Sequence, residues 1–313
     1  MRILLAESFS DAFRAELTAA RLPFDYRPHA DRAELIEALA QAEILIVKSR
    51  PAVTRRLIEA APRLRAVIRG GAGIEHIDRQ ALQERNIRLL ATPGGNCDAV
   101  GEQAVGMLLN LFQHLNRADR QLRALQWKRK ENTGIELMNR TVGIIGYGHT
   151  GTAFARRLSG FGCRVLAWDK YRFEYGDQWA EQAPLEQLYA EAEIVSLHLP
   201  LTEETRHYAN TAFFQAFARP IWLLNLARGE IVRTAALVEA LHAGRVRGAA
   251  LDVFENEDFG TLTEAQRYEL AALAQLDQVI MTPHTGGLTY ESAERIERLV
   301  LEAIREVLLG AGA

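Results

Sequence analysis

Residues Thr141–Leu158, TVGIIGYGHTGTAFARRL, followed by RVLAWDK at Arg164–Lys170, decide the fold. Thr141–Ile145 is a short β-branched run suited to a buried strand, and Gly146, Gly148 and Gly151 then stand in the G-x-G-x-x-G spacing, with Tyr147 inside the turn. Glycine at the first position permits the tight turn out of the strand, at the second lets the backbone approach a pyrophosphate, and at the third lets the next helix pack close to the sheet. A helix from about Thr150 to Gly160 then aims its free N–H groups and positive dipole end at the phosphates. A second strand, Arg164–Trp168, ends in Asp169, whose carboxylate is placed to accept hydrogen bonds from a ribose diol. An acid there favours NAD over NADP, because a 2′-phosphate meets like charge. Strand, glycine turn, helix and terminal acid in this order predict bound NAD; the plainer alternative is that the glycines serve packing alone.

Outward from this stretch, short apolar runs alternate with helical patterns along almost the whole chain, the signature of parallel α/β architecture. Ile3–Ala6, Phe24–Arg27, Ile44–Val47, Ala66–Ile68 and Ile87–Leu90 form a first set of strands. Val142 onward, Val165–Trp168, Ile194–Leu199, Ile221–Leu226, Ala249–Val253 and Val279–Met281 form a second. Two doubly wound parallel sheets are expected, a Rossmann domain over 98–288 and a flavodoxin-like substrate domain over 1–97 with 289–313. Ala99–Leu125 keeps helical spacing without internal proline and predicts one long joining helix, and Ser292–Leu309 predicts an amphipathic tail helix folded back on the first domain.

Composition narrows the function classes. The 313 residues carry a net charge of −3 with no long run of one sign, which gives no footing for a nucleic-acid partner. No segment supplies the roughly 18 apolar residues of a membrane span, and the start lacks a secretory pattern, so cytoplasm is the expected compartment. Cys97 and Cys163 are too few and too far apart for a disulfide framework or a zinc site.

Ligands in such sheets bind beyond the carboxyl ends of the strands. Three strand ends in the second set carry chemistry. Ile221–Leu226 runs into Ala227, Arg228 and Gly229, and a guanidinium there offers a planar fork to a carboxylate or carbonyl. Ala249–Val253 carries Asp252, with Glu255 and Glu257 close behind. Val279–Met281 runs into Pro283, His284, Thr285, Gly286 and Gly287. Oxidising an alcohol by hydride loss needs a base for the hydroxyl proton, and histidine has the unperturbed pKa nearest neutrality. Each residue alone has an ordinary alternative: a surface ion pair for Arg228, a helix cap for Asp252, a loop position for His284. In the first domain, Arg69, Gly70, Gly71, Ala72 and Gly73 follow a strand, and their backbone N–H groups suit an anion-binding nest.

With these residues in view, the chain resembles the D-isomer-specific 2-hydroxyacid dehydrogenases through GGAGIEHID, GYGHTG with Asp169, HLPLTEET, LNLARGEIV, GAALDVFENE and TPHTGG. The resemblance implies that Arg228 binds substrate, that His284 is the acid/base, and that Glu257, five residues beyond Asp252, orients it. Where the family usually has proline after that glutamate, this chain has Asp258. The resemblance further implies cofactor contacts at His149 and Thr150 as caps of the phosphate helix, His198 and Pro200 on the adenine or ribose side, Thr205 at the pyrophosphate, Ala227, Asp252 at the nicotinamide amide, and Gly286 and Gly287. Substrate carboxylate falls to the Arg69–Gly73 loop with Asn96 near the hinge, and Lys48 and Arg50 meet a phosphate in the 3-phosphoglycerate dehydrogenase branch. Two exposed charges on a turn are the alternative for that pair. Trp127 matches a tryptophan lent to a neighbouring subunit, which implies a homodimer. The chain ends soon after the tail helix, so no regulatory domain is expected. The expected partner is a small 2-hydroxy or 2-keto acid, including 3-phosphoglycerate. Hydroxypyruvate or glyoxylate reduction, or a non-catalytic corepressor-like NAD(H) sensor, are the alternatives.

Overall fold

A computed structural model describes residues 2–309. The chain divides into two compact units, one comprising the residues up to Asn96 with those from Thr289 onward, the other Cys97–Leu288. The outer bounds expected from sequence, 1 and 313, lie outside the described residues.

The first unit is built on five parallel strands: β1 (Ile3–Leu5), β2 (Phe24–Tyr26), β3 (Ile44–Val47), β4 (Ala66–Arg69) and β5 (Arg88–Ala91). They are ordered β2-β1-β3-β4-β5, the flavodoxin-like order. Strand β3, ILIV, is buried at every residue because helices cover both faces of the sheet. The tail helix, Tyr290–Leu309, buries Val300, Ile304 and Val307 against Ile3, Leu5, Ile44 and Ile46.

The second unit carries seven parallel strands: β6 (Thr141–Ile145), β7 (Arg164–Trp168), β8 (Glu181–Gln182), β9 (Ile194–Leu197), β10 (Ile221–Asn225), β11 (Val246–Leu251) and β12 (Val279–Met281). The order β12-β11-β10-β9-β6-β7-β8 reverses direction between β6 and β9, the switch point of a Rossmann sheet. Ile144, Phe154 and Leu108 fill one face, and Ile145, Val195, Leu223 and Phe214 the other. Each such side chain, fully withdrawn from water, contributes about 1.5–3 kcal/mol.

The single joining helix expected over Ala99–Leu125 is two helices, Cys97–Gln113 and Leu115–Arg123. His114 breaks them by adopting the left-handed conformation at φ 53°, and the side-chain oxygen of Asn110 accepts the Asn116 N–H across the break. The second piece buries no residue and leaves Leu115 and Leu122 exposed, so its apolar spacing does not reflect a core face. Strand β8 was not expected: its two residues are charged or polar and exposed, with no apolar pattern to mark them. Among the described residues, no helix is long and apolar enough to cross a membrane.

Candidate active site

At the switch point, Gly146 turns out of β6 with φ +93°, and a Cβ there would lie 2.4 Å from the carbonyl oxygen of His198. Only glycine fits, for conformation and for space. Gly148 is the N-cap of the helix His149–Leu158, with no side-chain cap and open space where its Cβ would stand. Helix N-termini leave their first N–H groups without intrahelical partners, and here no side chain caps them, a cradle suited to a pyrophosphate. His149 and Thr150 therefore begin the helix rather than cap it.

Asp169, one residue beyond β7, closes this turn from the side. Its Oδ2 accepts the Tyr147 N–H at 2.8 Å, and its Oδ1 accepts those of Tyr171 and Arg172 at 3.0 and 3.1 Å. A carboxylate offers about four lone-pair sites, so acceptor capacity remains for a ribose hydroxyl. Two residues expected at the cofactor have side chains turned inward. The Tyr147 side chain is buried and its hydroxyl donates to Asp177 Oδ1 at 2.9 Å, which leaves only its backbone at the turn. The His198 imidazole is 8% exposed, 2.9 Å from Ser196 Oγ and 3.2 Å from Thr150 Oγ1, and burial lowers its pKa to about 4. Neutral at physiological pH, its side chain seats the glycine-turn helix from below. Thr205 Oγ1 donates to the Pro200 carbonyl at 2.6 Å and folds the loop after β9.

The other strand ends of the same sheet carry the chemistry-bearing side chains. Asn225, the last residue of β10 and wholly buried, donates to the Arg228 carbonyl at 2.9 Å and accepts the Ala227 N–H at 3.1 Å, so one amide closes the turn that presents Arg228. Gly229 is pressed against the backbone of Phe254 and Glu255. The Ala227–Gly229 turn and the segment leading to Glu257 thus lie against each other.

Asp252 follows β11 directly, not within a strand as expected, and is 1% exposed. Its Oδ1 accepts from Gln103 Nε2 at 2.9 Å, Thr282 Oγ1 at 2.5 Å and the Thr285 N–H at 2.9 Å, and its Oδ2 accepts the Gly286 N–H at 2.8 Å. A buried carboxylate is stable only with such charge-assisted partners. Here it anchors the loop Thr282–Gly286. That loop holds His284 in the left-handed region at φ 53°, a conformation that costs about 1–3 kcal/mol in a non-glycine residue. The His284 N–H donates to the Asp252 carbonyl at 2.8 Å, which ties the strained residue to its anchor.

His284 Nδ1 lies 2.7 Å from Glu257 Oε2, both side chains about half exposed. The Glu257 hydrogen bond raises the His284 pKa above its ordinary value, against the opposing effect of burial. Burial raises the Glu257 carboxyl, but the hydrogen bond and charge of His284 outweigh it and the net shift is downward. The pair is poised around imidazolium and carboxylate, and Nε2 is the ring nitrogen that remains to exchange a proton with a ligand. Asp258 suits this loop: its N–H donates to Asn256 Oδ1 at 3.0 Å, a bond that proline lacks, and its Oδ1 accepts the Gly260 N–H at 3.0 Å.

In the first unit, Gly71 donates to Thr92 Oγ1 at 2.7 Å, and among the described residues the N–H groups of Ala72 and Gly73 have no protein acceptor. The N–H groups of this loop left for a ligand are therefore those of Ala72 and Gly73, beyond Arg69, whose Nη1 donates to the Gly70 carbonyl at 3.0 Å. Asn96 is half-buried at the end of this segment. Lys48 is not an exposed charge on a turn: its Nζ donates to the Ser8 carbonyl at 2.7 Å, lies 3.8 Å from Glu297 and 4.3 Å from the Phe9 ring centroid, and burial lowers its pKa. Arg50 is exposed.

Residues 105–286 match the family model for the D-isomer specific 2-hydroxyacid dehydrogenase, NAD binding domain. The chain belongs to this family. As a 2-hydroxyacid dehydrogenase it is an oxidoreductase that uses NAD or NADP on the CH–OH group of 2-hydroxy acids. It is 36% identical to a hydroxypyruvate reductase of Thermotoga maritima over 88% of both chains. It is 34% identical to the D-3-phosphoglycerate dehydrogenase of Mycobacterium tuberculosis over 90% of this chain, but spans only 52% of that protein. The structure superposes on D-lactate dehydrogenase from Aquifex aeolicus, complexed with NAD and lactic acid, with a TM-score of 0.86 at 27% identity, covering 99% and 96% of the two chains. Asn225, Gln103 and Thr282, which hold this dehydrogenase's strand-end loops, were not expected from sequence. A buried asparagine closing the apolar run IWLLN was the one available signal.

Proposed function

We propose that this dehydrogenase prefers NAD and interconverts a small, unphosphorylated 2-keto acid of the hydroxypyruvate or glyoxylate type with its 2-hydroxy acid. The observation that carries the reading is the 2.7 Å His284–Glu257 pair on the sheet that also bears the glycine turn and Arg228. Gly146–Gly151 and Asp169 would hold the dinucleotide in the Cys97–Leu288 unit. A bound nicotinamide supplies or accepts the hydride. In reduction, His284 Nε2 gives its proton to the carbonyl oxygen, which becomes the hydroxyl. Glu257 stabilises the imidazolium beforehand and fixes the ring. Arg228 offers its fork to the carboxylate and polarises the carbonyl.

The commitment of Lys48 to Ser8, Phe9 and Glu297 favours the unphosphorylated substrate over the 3-phosphoglycerate reading, for which exposed Arg50 speaks. NADH oxidation across hydroxypyruvate, glyoxylate, pyruvate and 3-phosphohydroxypyruvate is expected to give the higher kcat/KM with hydroxypyruvate or glyoxylate. A preference for the phosphorylated acid overturns this choice, and NADH binding with no turnover of any of them favours a sensor. The 81% exposure of Trp127 in a single chain supports a homodimer in which that ring is covered.

The coupled pair sets a pH dependence. Keto-acid reduction needs the imidazolium, so its rate is expected to hold below the raised His284 pKa and to fall as pH climbs through it. Hydroxy-acid oxidation needs the neutral ring and rises through the same midpoint. Glu257→Gln is expected to move that midpoint to lower pH, read from initial rates in both directions. A midpoint unmoved by the substitution excludes the coupling. Stability follows the same signs. The His284 contribution is full below its unfolded pKa and is lost as pH rises through the folded value. That of Glu257 is present above its unfolded pKa and is lost as pH falls through the lowered one.

A further inference from the structure

Two cations, Lys170 and Arg172, follow Asp169 within three residues, and such charges are what a 2′-phosphate on the adenosine ribose attracts. Both are already engaged. Arg172 Nη1 donates to the Tyr147 carbonyl inside the glycine turn. Lys170 Nζ is ion-paired with Glu204, and the Tyr171 hydroxyl donates to the other oxygen of the same carboxylate. Glu204 belongs to the loop after β9, whereas Lys170 and Tyr171 belong to the loop after β7. The Pro200–Thr205 turn that presents Glu204 is itself fixed, with Thr205 Oγ1 donating to the Pro200 carbonyl and accepting the Thr202 N–H at 2.8 Å. One carboxylate thus bridges the loops that follow the strands on either side of β6, where the glycine turn lies.

We infer that Glu204 is a second selector of NAD over NADP: it holds the Lys170 ammonium that would otherwise pair with a 2′-phosphate. This rests on the reading that the dinucleotide binds at the glycine turn with its ribose at Asp169. Asp169 repels the phosphate directly, and Glu204 acts by withholding the compensating cation. Glutamine at 204 keeps an acceptor for the Tyr171 hydroxyl but has no charge with which to hold Lys170.

The test is equilibrium binding of NADH and NADPH to the full chain, followed by nicotinamide fluorescence, for the native protein, Glu204→Gln, Lys170→Met and the double variant. In Glu204→Gln the ratio Kd(NADPH)/Kd(NADH) is expected to fall about fivefold, the scale of one exposed ion pair, mostly through tighter NADPH binding. Adding Lys170→Met is expected to erase the gain, because the liberated ammonium is its source. An unchanged ratio, equal weakening of both cofactors, or a gain that survives Lys170→Met overturns the role of Glu204. The native ratio judges the NAD reading separately. Tighter NADPH than NADH binding in the native protein overturns that reading, while the shift in Glu204→Gln still decides on Glu204.

Discussion

His284→Ala is expected to lower turnover about 10²–10⁴-fold, the span that a positioned acid or base contributes, while the Kd for NADH changes little. The split follows from placement. The glycine turn and Asp169 belong to the ends of β6 and β7, whereas His284 follows β12 and reaches Glu257 beyond β11. In the proposed reaction, removing the imidazole takes away the proton donor and leaves the glycine turn untouched. The fold should tolerate the change, since His284 is half exposed and its loop is anchored through Asp252, not through the ring. Steady-state rates with hydroxypyruvate or glyoxylate, together with an NADH titration, check this. Near-native turnover would remove His284 from the reaction, and a parallel loss of NADH binding would make it a cofactor contact instead.

Gly229→Ala is expected to damage both stability and activity. The added methyl would lie 1.8 Å from the Phe254 carbonyl oxygen and 2.6 Å from the Glu255 nitrogen. These are backbone atoms, so no rotamer change relieves the overlap and the two segments must separate. Forcing such an overlap costs about 3 kcal/mol, and a drop in Tm of roughly 6–12 °C is the corresponding scale for a unit of this size. Activity should fall further than folding does, because separating the segments moves Arg228 away from Glu257, and misplacement of about 1 Å costs as much as 100-fold. Thermal melting and kcat/KM measured well below the melting transition distinguish the two effects. A variant that melts and turns over like the native protein would mean that the two backbones do not meet.

The parts readable in the sequence were those where backbone geometry itself demands a residue type. Gly146 is recognisable because no other residue can cross the His198 carbonyl, and Asp169 because an acid directly beyond the strand after a glycine turn is what a ribose diol calls for. Strands β3, β7 and β12 stood out with their bounds as apolar runs between polar segments. What stayed hidden depends on partners remote in the chain. Gln103 looks like a surface position of an amphipathic helix, yet its partners Asp252 and Thr282 lie 149 and 179 residues away. His198 and Lys48 sit just past strand ends, where spacing does not reveal whether a side chain faces solvent or folds inward. The break at His114 carries no proline or glycine to announce it.

Asp252 gathers donors from the helix Cys97–Gln113, from Thr282 beyond β12 and from the His284 loop into one buried site. Such a knot has no half-made state of low energy, since a carboxylate stripped of some partners but still shut away from water is heavily penalised. A refolding chain therefore cannot display His284 correctly until that early helix has docked on the sheet. Recovered turnover would then serve as a quality certificate for the whole Cys97–Leu288 unit, appearing with its cooperative assembly and not before it.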